Sequence, residues 1–350
     1  MKKVLILSPA LDQALAIARF LRRYGKEWIL HGGLLEGEEI KGTVTRYYDK
    51  IVRVRDLKDF EAYDCVLPTG ARSTYWMVRQ TGDFYVGKVP YLRNNLLCFD
   101  KYNFIRRVAA LGVPVPKTYE DFRKVGNEYP IFYKPKFEKG GGPRGVLYSR
   151  KDLERLPNKH ELIFQEYIPG RSTYGVGFIA KNGSILTFFQ HEELLSLPIK
   201  GGSAIYLRRC YDKKLLNYTQ RMIQNIKFSG WGLAEFKYCH KRHDYVFMEV
   251  NAKLWASIEF ALLNNNNFLK YMFDINHPET PTNSALYIER LIALELPELV
   301  RNIHYLLESD KIIRYRSLKE LSLMFIYNSM LSFAKKLTKN YHFKRTCWLT

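Results

Sequence analysis

A lysine delivered by an apolar strand and followed at once by glycines is a place to hold a polyanion. The chain has one at Tyr129-Pro-Ile-Phe-Tyr-Lys-Pro-Lys-Phe-Glu-Lys-Gly-Gly-Gly-Pro-Arg-Gly-Val146, with Lys134 on the apolar run and Gly140, Gly141, Gly142 and Gly145 in the turn. Glycine lets backbone N–H groups approach phosphate oxygens closely, and a strand-borne ammonium adds fixed positive charge beside them. The P-loop pattern is absent, because no Gly-Lys-Ser/Thr closes the turn. Taken alone, the stretch fits a glycine-rich surface hairpin as well as a nucleotide loop. A second group lies further along. Glu235 stands in Gly-Leu-Ala-Glu-Phe-Lys, and Glu249 and Asn251 stand in Phe-Met-Glu-Val-Asn. Residues two apart on a strand share a face, and a carboxylate on the neighbouring strand can lie opposite them. Three oxygen ligands on one sheet face suit Mg²⁺, which takes carboxylates together with phosphates. The competing reading, an ordinary charged hairpin face, is disfavoured by the apolar neighbours on both strands.

The elements that must position these residues follow from periodicity. Residues 1–95 alternate strand and helix: Val4–Leu7 is a buried-strand run, Ala10–Tyr24 has helical apolar spacing, Trp28–His31 is a second strand, and Asp64–Gly70 is a strand emptying into a loop. This predicts a small Rossmann-like unit, without G-x-G-x-x-G, since Ser8-Pro9-Ala10 fills the first strand–helix turn. Residues 96–275 form a second domain, opened by the helix Asp100–Gly112. Its smaller part, about 117–168, is strand-rich, and its larger part runs over 169–275. Residues 276–350 read as a basic helical extension. The fold class expected is α/β followed by α+β.

Composition sets broad limits. The 350 residues allow two or three domains, and 55 Lys and Arg against 35 Asp and Glu give a formal charge of +20. That excess favours acidic partners without choosing among them, and much of it serves as a solvated basic surface. No nucleic-acid-binding module is recognisable. The five cysteines are scattered without a C-x-x-C pair, which suits a reducing cytosol and predicts a cytoplasmic protein. The apolar run Val4–Leu7 is too short for a signal peptide, and the run 321–334 is broken by Asn328 and serines, so no membrane span is expected.

Lysine, glycine loop, the turn Gln165-Glu-Tyr-Ile-Pro-Gly170 and the acidic hairpin come in an order that resembles the ATP-grasp superfamily, from about Asp100 to Ala261. The further motifs His191, Gly201-Gly-Ser-Ala-Ile-Tyr-Leu-Arg208 and Trp255-Ala-Ser257 are similar to the branch of carbamoyl-phosphate synthase halves and D-aspartate ligase. The resemblance implies ATP bound between two α+β subdomains. Lys101 and Lys134 would contact phosphates, and Gly140 to Gly145 would form a mobile lid carrying Arg144 as a further phosphate contact. Gln165, Glu166, Tyr167 and Ile168 would read adenine. Glu235, Glu249 and Asn251 would hold two Mg²⁺ ions, with Mn²⁺ as the alternative. It also implies an ADP-forming ligase that joins a carboxylate to an amine through an acyl phosphate, the lid keeping water out. The basic surface leans toward anionic substrates. A catalytically silent nucleotide sensor or scaffold and a small-molecule kinase are the alternatives.

Two positions depart from the family pattern. Ser172 stands where a carboxylate often binds ribose, and Lys253 stands where an arginine steadies the transferring phosphoryl group, without an arginine's fork. Arg208, with Gly201-Gly-Ser, could bind the substrate carboxylate or acyl phosphate, or lie in a plain loop. His191 could carry a proton or be a hydrogen-bonded polar residue. Cys239-His-Lys-Arg-His243 offers too few ligands for zinc and reads as an exposed turn. For Lys311–Arg345, capping of the core is the default reading; contact with an acidic membrane surface or an anionic substrate is the alternative, and a homodimer is left open.

Overall fold

The computed structural model describes residues 1–347 except 139, 171 and 199–201, and gives the backbone alone over 333–347. The N-terminal unit is a four-stranded parallel sheet built from β1 (Lys2–Leu7), β2 (Trp28–Leu34), β3 (Lys50–Arg53) and β4 (Cys65–Pro68), in the order β3-β2-β1-β4. Val4 to Leu7 are fully buried, as a continuous apolar run covered on both faces must be. Helices α1 (Asp12–Tyr24) and α2 (Ala71–Thr81) pack on this sheet, α1 through Leu15, Ala18 and Leu21. A hairpin of β5 (Phe84–Val86) and β6 (Val89–Tyr91) leads to α3 (Lys101–Ala110).

A small antiparallel sheet follows. Its strands β7 (Thr118–Tyr119), β8 (Ile131–Pro135) and β9 (Gly145–Leu147), with α4 (Arg150–Arg155) and β10 (Leu162–Glu166), give the order β7-β10-β8-β9. Alternation along β8 sends Ile131 and Tyr133 into a core with Leu147, Leu153 and Phe164. The same alternation leaves Phe132 and Lys134 on the other face.

The large sheet has seven strands, in the order β15-β14-β11-β12-β13-β16-β17. These are β11 (Thr173–Lys181), β12 (Ser184–Leu197), β13 (Ser203–Arg209), β14 (Gly230–Cys239), β15 (Asp244–Asn251), β16 (Ser284–Tyr287) and β17 (Lys311–Ile313). One face is covered by α3 and α5 (Lys213–Asn225), through Phe104, Leu215, Met222 and Ile223 packed on Phe178, Phe236 and Phe247. Helices α6 (Ile258–Asn264) and α7 (Asn267–Phe273) join the sheet to the N-terminal unit.

The C-terminal stretch is helical in α8 (Ile288–Ile292), α9 (Leu296–Asn302), α10 (Tyr305–Glu308) and α11 (Leu318–Cys347), but it also supplies β16 and β17 to the large sheet. Ser284-Ala-Leu-Tyr287 is a short, fully buried run, for which periodicity cannot separate strand from helix. Helix α11 opens with a capping box, Ser317 N–H donating to Glu320 and Glu320 N–H to Ser317 Oγ. Its apolar stripe does not cap the core as expected. Leu321 is buried and Asn328 donates to the Ile292 carbonyl at 3.2 Å, whereas Leu323, Ile326 and Met330 face outward. Among the described residues no helix is long and apolar enough to cross a membrane, and Cys65, Cys98, Cys210 and Cys239 are free thiols.

Candidate active site

Between the small sheet and the open face of the large one lies a cleft of about 520 Å³. Its apolar end is lined by Phe132, Tyr167, Ile168 and Met248, and its charged end by Lys101, Lys134, Glu235 and Glu249. Glu235 and Glu249 are direct cross-strand partners on β14 and β15. One residue later the register slips, so that Phe236 pairs with Phe247 and Met248 becomes an extra residue in β15. The Lys134 ammonium donates to the Met248 carbonyl at 3.0 Å and to Glu249 Oε2 at 3.0 Å.

Lys101 reaches the same carboxylate from the other side, 3.1 Å from Glu249 Oε2 and 2.8 Å from Glu138 Oε2. Its position comes from chain pairing: an antiparallel bridge joins Asp100 to Phe137, Lys101 N–H donates to the Lys136 carbonyl, and Glu138 N–H donates to the Phe99 carbonyl. Glu138 also accepts the Gly140 N–H at 2.8 Å, so one carboxylate ties the lysine to the base of the glycine turn. The Asn251 amide donates to Glu235 at 2.7 Å and to Glu249 at 3.3 Å, and its oxygen accepts from Lys253 at 3.1 Å.

Electrostatics divide the two hairpin carboxylates. Burial and the neighbouring Glu249 charge push Glu235 up to about 7. Burial acts on Glu249 in the same sense, but the ammoniums of Lys101 and Lys134 outweigh it and hold this carboxyl well below its usual range. Lys134 is lowered by burial, opposed by Glu249; burial also opposes the charge on Lys101, whose two carboxylates raise it. Among the described residues no three His, Cys, Asp or Glu side chains gather as a ready-made metal cage. Two adjacent, partly buried carboxylates nevertheless fit a hard dication that completes its shell with phosphate oxygens and water, while the Asn251 oxygen is turned toward Lys253.

The glycine turn lies beside Glu138, which holds Lys101. Gly140, Gly141 and Gly142 have φ of +79°, +148° and +115°, and a Cβ on Gly142 would come within 2.7 Å of the Pro135 ring. Arg144 lines the cleft itself, while the three glycines border a separate cavity of about 330 Å³ with Asn158 and Glu161. In the 165–168 turn, Tyr167 and Ile168 face the cleft. Gln165 is buried and donates to Thr118 Oγ1 at 3.0 Å, and Glu166 pairs with Arg242, so neither side chain points inward.

Arg208 is not brought to the lysines. Cross-strand pairing puts Glu192, Arg208 and Tyr174 in one row, alternate to the row of Glu235 and Glu249, and Arg208 ion-pairs with Glu192 at 2.7 Å. Of the adjoining loop, Gly201 lies outside the described residues, as does Arg171 beside Ser172. His191 stacks on Phe189, and Gly175 opposite leaves room for its ring; burial lowers it to about 4, so it is neutral. His240 and His243 lie in the exposed β14–β15 turn.

Several cleft residues escaped the sequence reading. Glu138 was signalled only by its place two residues before the glycines. Glu193 and Lys237 lie on the cleft face, Lys237 two residues from Glu235 on β14; burial and Glu235 push Glu193 up to about 8, and burial lowers Lys237. Glu298, Arg301, Asn302 and Tyr305 close the third wall from α9 and α10, and nothing local in the sequence announces that.

Two sheets thus face each other across a cleft in which two lysines and two hairpin carboxylates converge, next to a glycine-rich turn. Residues 98–257 match the family model described as an ATP-grasp domain. The chain is 21% identical over 280 residues to a D-aspartate ligase from Enterococcus faecium (strain Aus0004), a match covering 64% of this chain and 66% of that protein, just under two thirds of its length. Among solved structures it resembles N5-carboxyaminoimidazole synthetase from Staphylococcus aureus complexed with ADP, with a TM-score of 0.60 at 14% identity over 87% of this chain and 86% of the other. It also resembles L-amino acid ligase from Bacillus licheniformis, with a TM-score of 0.56 at 13% identity over 78% and 72%. At these identities the structural likenesses establish the fold.

Proposed function

We propose that this protein is an ATP-dependent, ADP-forming carboxylate–amine ligase. The observation that carries the reading is the convergence of Lys101 and Lys134 on one oxygen of Glu249, at 3.1 and 3.0 Å, beside a glycine turn. Two ammoniums held there by a carboxylate are ready to be handed to phosphate oxygens. The likeness to a D-aspartate ligase and an L-amino acid ligase supports the choice of reaction.

In this reading the apolar end, with Phe132, Tyr167, Ile168 and Met248, receives adenine, and backbone groups of the 165–168 turn provide its hydrogen bonds. Lys101 and Lys134 hold the phosphates and offset the charge that spreads over the moving phosphoryl group. Glu235, Glu249 and Asn251 would hold Mg²⁺ or Mn²⁺, which supplies further charge neutralisation at phosphate oxygens. Lys253, fixed by Asn251, serves beside the γ-phosphoryl group in place of an arginine. The substrate carboxylate attacks the γ-phosphorus, ADP leaves, and an amine then displaces phosphate from the acyl phosphate to give the amide. Arg144 and the glycine turn close over the mouth and exclude water. The third wall, with Glu298 and Arg301, and the adjoining Glu193 and Lys237 of the large sheet receive the joining substrates. Arg208 takes no part. An ATP-consuming reaction and the free thiols support a cytosolic setting.

The test is a screen for ADP and phosphate release with Mg²⁺ and ATP across pairs of carboxylates and amines, with product mass identifying the bond made. AMP and pyrophosphate as the products would contradict the proposal.

A further inference from the structure

Over residues 321–332, helix α11 turns most of its apolar side chains away from the core. Leu323, Ile326, Tyr327, Met330 and Leu331 recur at helical spacing and share one face, which is exposed: Tyr327 by 64% and Met330 by 67%. The opposite side, with Leu321 and Asn328, meets the protein. In the sequence the apolar spacing continues through Ala334, Leu337 and Tyr341. Helix α9, packed beside α11, and the segment after it add a second outward row, Leu296, Val300, Ile303 and Leu307, the last exposed by 93%. Adjoining apolar rows of this kind on one surface mark an interaction site.

Charge chooses the occupant. From residue 321 to 350 the chain has no Asp or Glu but five cations, Lys335, Lys336, Lys339, Lys344 and Arg345. A second copy docking symmetrically through this face brings no acidic residue from 321–350 to balance these cations. An anionic lipid surface takes both features at once, burying the apolar row among acyl chains and pairing the lysines with headgroups.

We propose that the outward face of α11, with the neighbouring row from α9, is a docking site for an anionic membrane surface, on which the protein lies without spanning it. This is independent of the ligase reading, since it uses neither the cleft nor its residues. The Glu298, Arg301, Asn302 and Tyr305 wall comes from the same α9–α10 segment, so docking would set the cleft mouth near the lipid surface.

The experiment is co-sedimentation of the full chain with vesicles of phosphatidylcholine alone and with about a third phosphatidylglycerol. Binding is expected only to the anionic vesicles and should weaken as salt is raised. Ile326→Glu with Met330→Glu should abolish it, and Lys335→Gln, Lys336→Gln and Lys339→Gln together should weaken it on the order of a hundredfold. ATP affinity, measured on the same variants, should stay unchanged and so confirm that they fold. No binding to the anionic vesicles would overturn the proposal. So would light scattering showing a dimer that the glutamate variant breaks, because the face would then be a self-association surface.

Discussion

Glu235 and Glu249 stand directly opposite each other on β14 and β15, and the amide of Asn251 donates to both. Glu249 is balanced by two lysines, whereas Glu235 is held up by burial and by the Glu249 charge. A carboxylate in that position costs stability in the absence of a cation. Glu235→Gln should therefore raise the melting temperature of the free protein, by a gain on the order of 1–3 kcal/mol, while abolishing Mg²⁺-dependent turnover. Calorimetry of the free protein and an ADP-release assay check the two halves. A lower melting temperature would assign Glu235 a structural role.

Lys134→Met should lower kcat/KM by about 10²–10³, the usual loss on removing one donor aimed at developing charge. Lys134→Arg should not restore it, since a guanidinium fork cannot reproduce a point charge shared between the Met248 carbonyl and Glu249. Steady-state kinetics on both variants, with circular dichroism as the folding check, decide this; full activity in the arginine variant would contradict it.

Arg144 follows the glycine turn and lines the cleft, and the proposed function makes this segment a lid. Arg144→Ala is expected to slow turnover more than it weakens ATP binding, because the lid acts after the nucleotide is seated. Gly142→Ala should do likewise, since its φ of +115° and the Pro135 ring oppose a side chain. The kcat and the ATP dissociation constant, measured separately, test both; an unchanged rate for Arg144→Ala would return that residue to the surface.

The Glu320 carboxylate joins the start of α11 to the N-terminal unit, accepting the Thr43 N–H at 2.9 Å and the Ser317 N–H at 3.0 Å. Burial alone would raise it, but these hydrogen bonds outweigh burial and bring it to about 2 from an ordinary 4.5. A carboxyl lowered on folding stabilises fully above its unfolded value and loses that contribution as pH falls through the folded one. Melting temperature should therefore decline from pH 4.5 toward 2, and Glu320→Gln should be less stable near neutrality with a flatter acid limb. Parallel acid limbs would show that Glu320 does not contribute.

What could be read from the residues was local. A period of two shows Glu249 and Asn251 on one face of β15 and Lys134 on the cleft face of β8, because strand alternation needs no knowledge of the rest of the chain. The glycine turn was visible for the same reason. What escaped depends on distant pairing. Glu138 reaches Lys101 only because Asp100 bridges Phe137, and the register slip that leaves Met248 unpaired in β15 is encoded by no pattern. Arg208 looked near the site from its loop, but register shifts in β12 and the row it shares with Glu192 decide its face. The wall from α9 required β16 and β17 to be recognised as sheet strands. The outward stripe of α11 shows that amphipathicity gives the existence of an apolar face and not its direction.

Phosphoryl transfer from ATP to a substrate carboxylate is tested most directly by an isotope measurement. With a carboxylate substrate labelled with ¹⁸O on its carboxyl oxygens, turnover with ATP and an amine should deliver one labelled oxygen to the released phosphate and leave ADP as the nucleotide product. Unlabelled phosphate, or label found in AMP, would contradict the account.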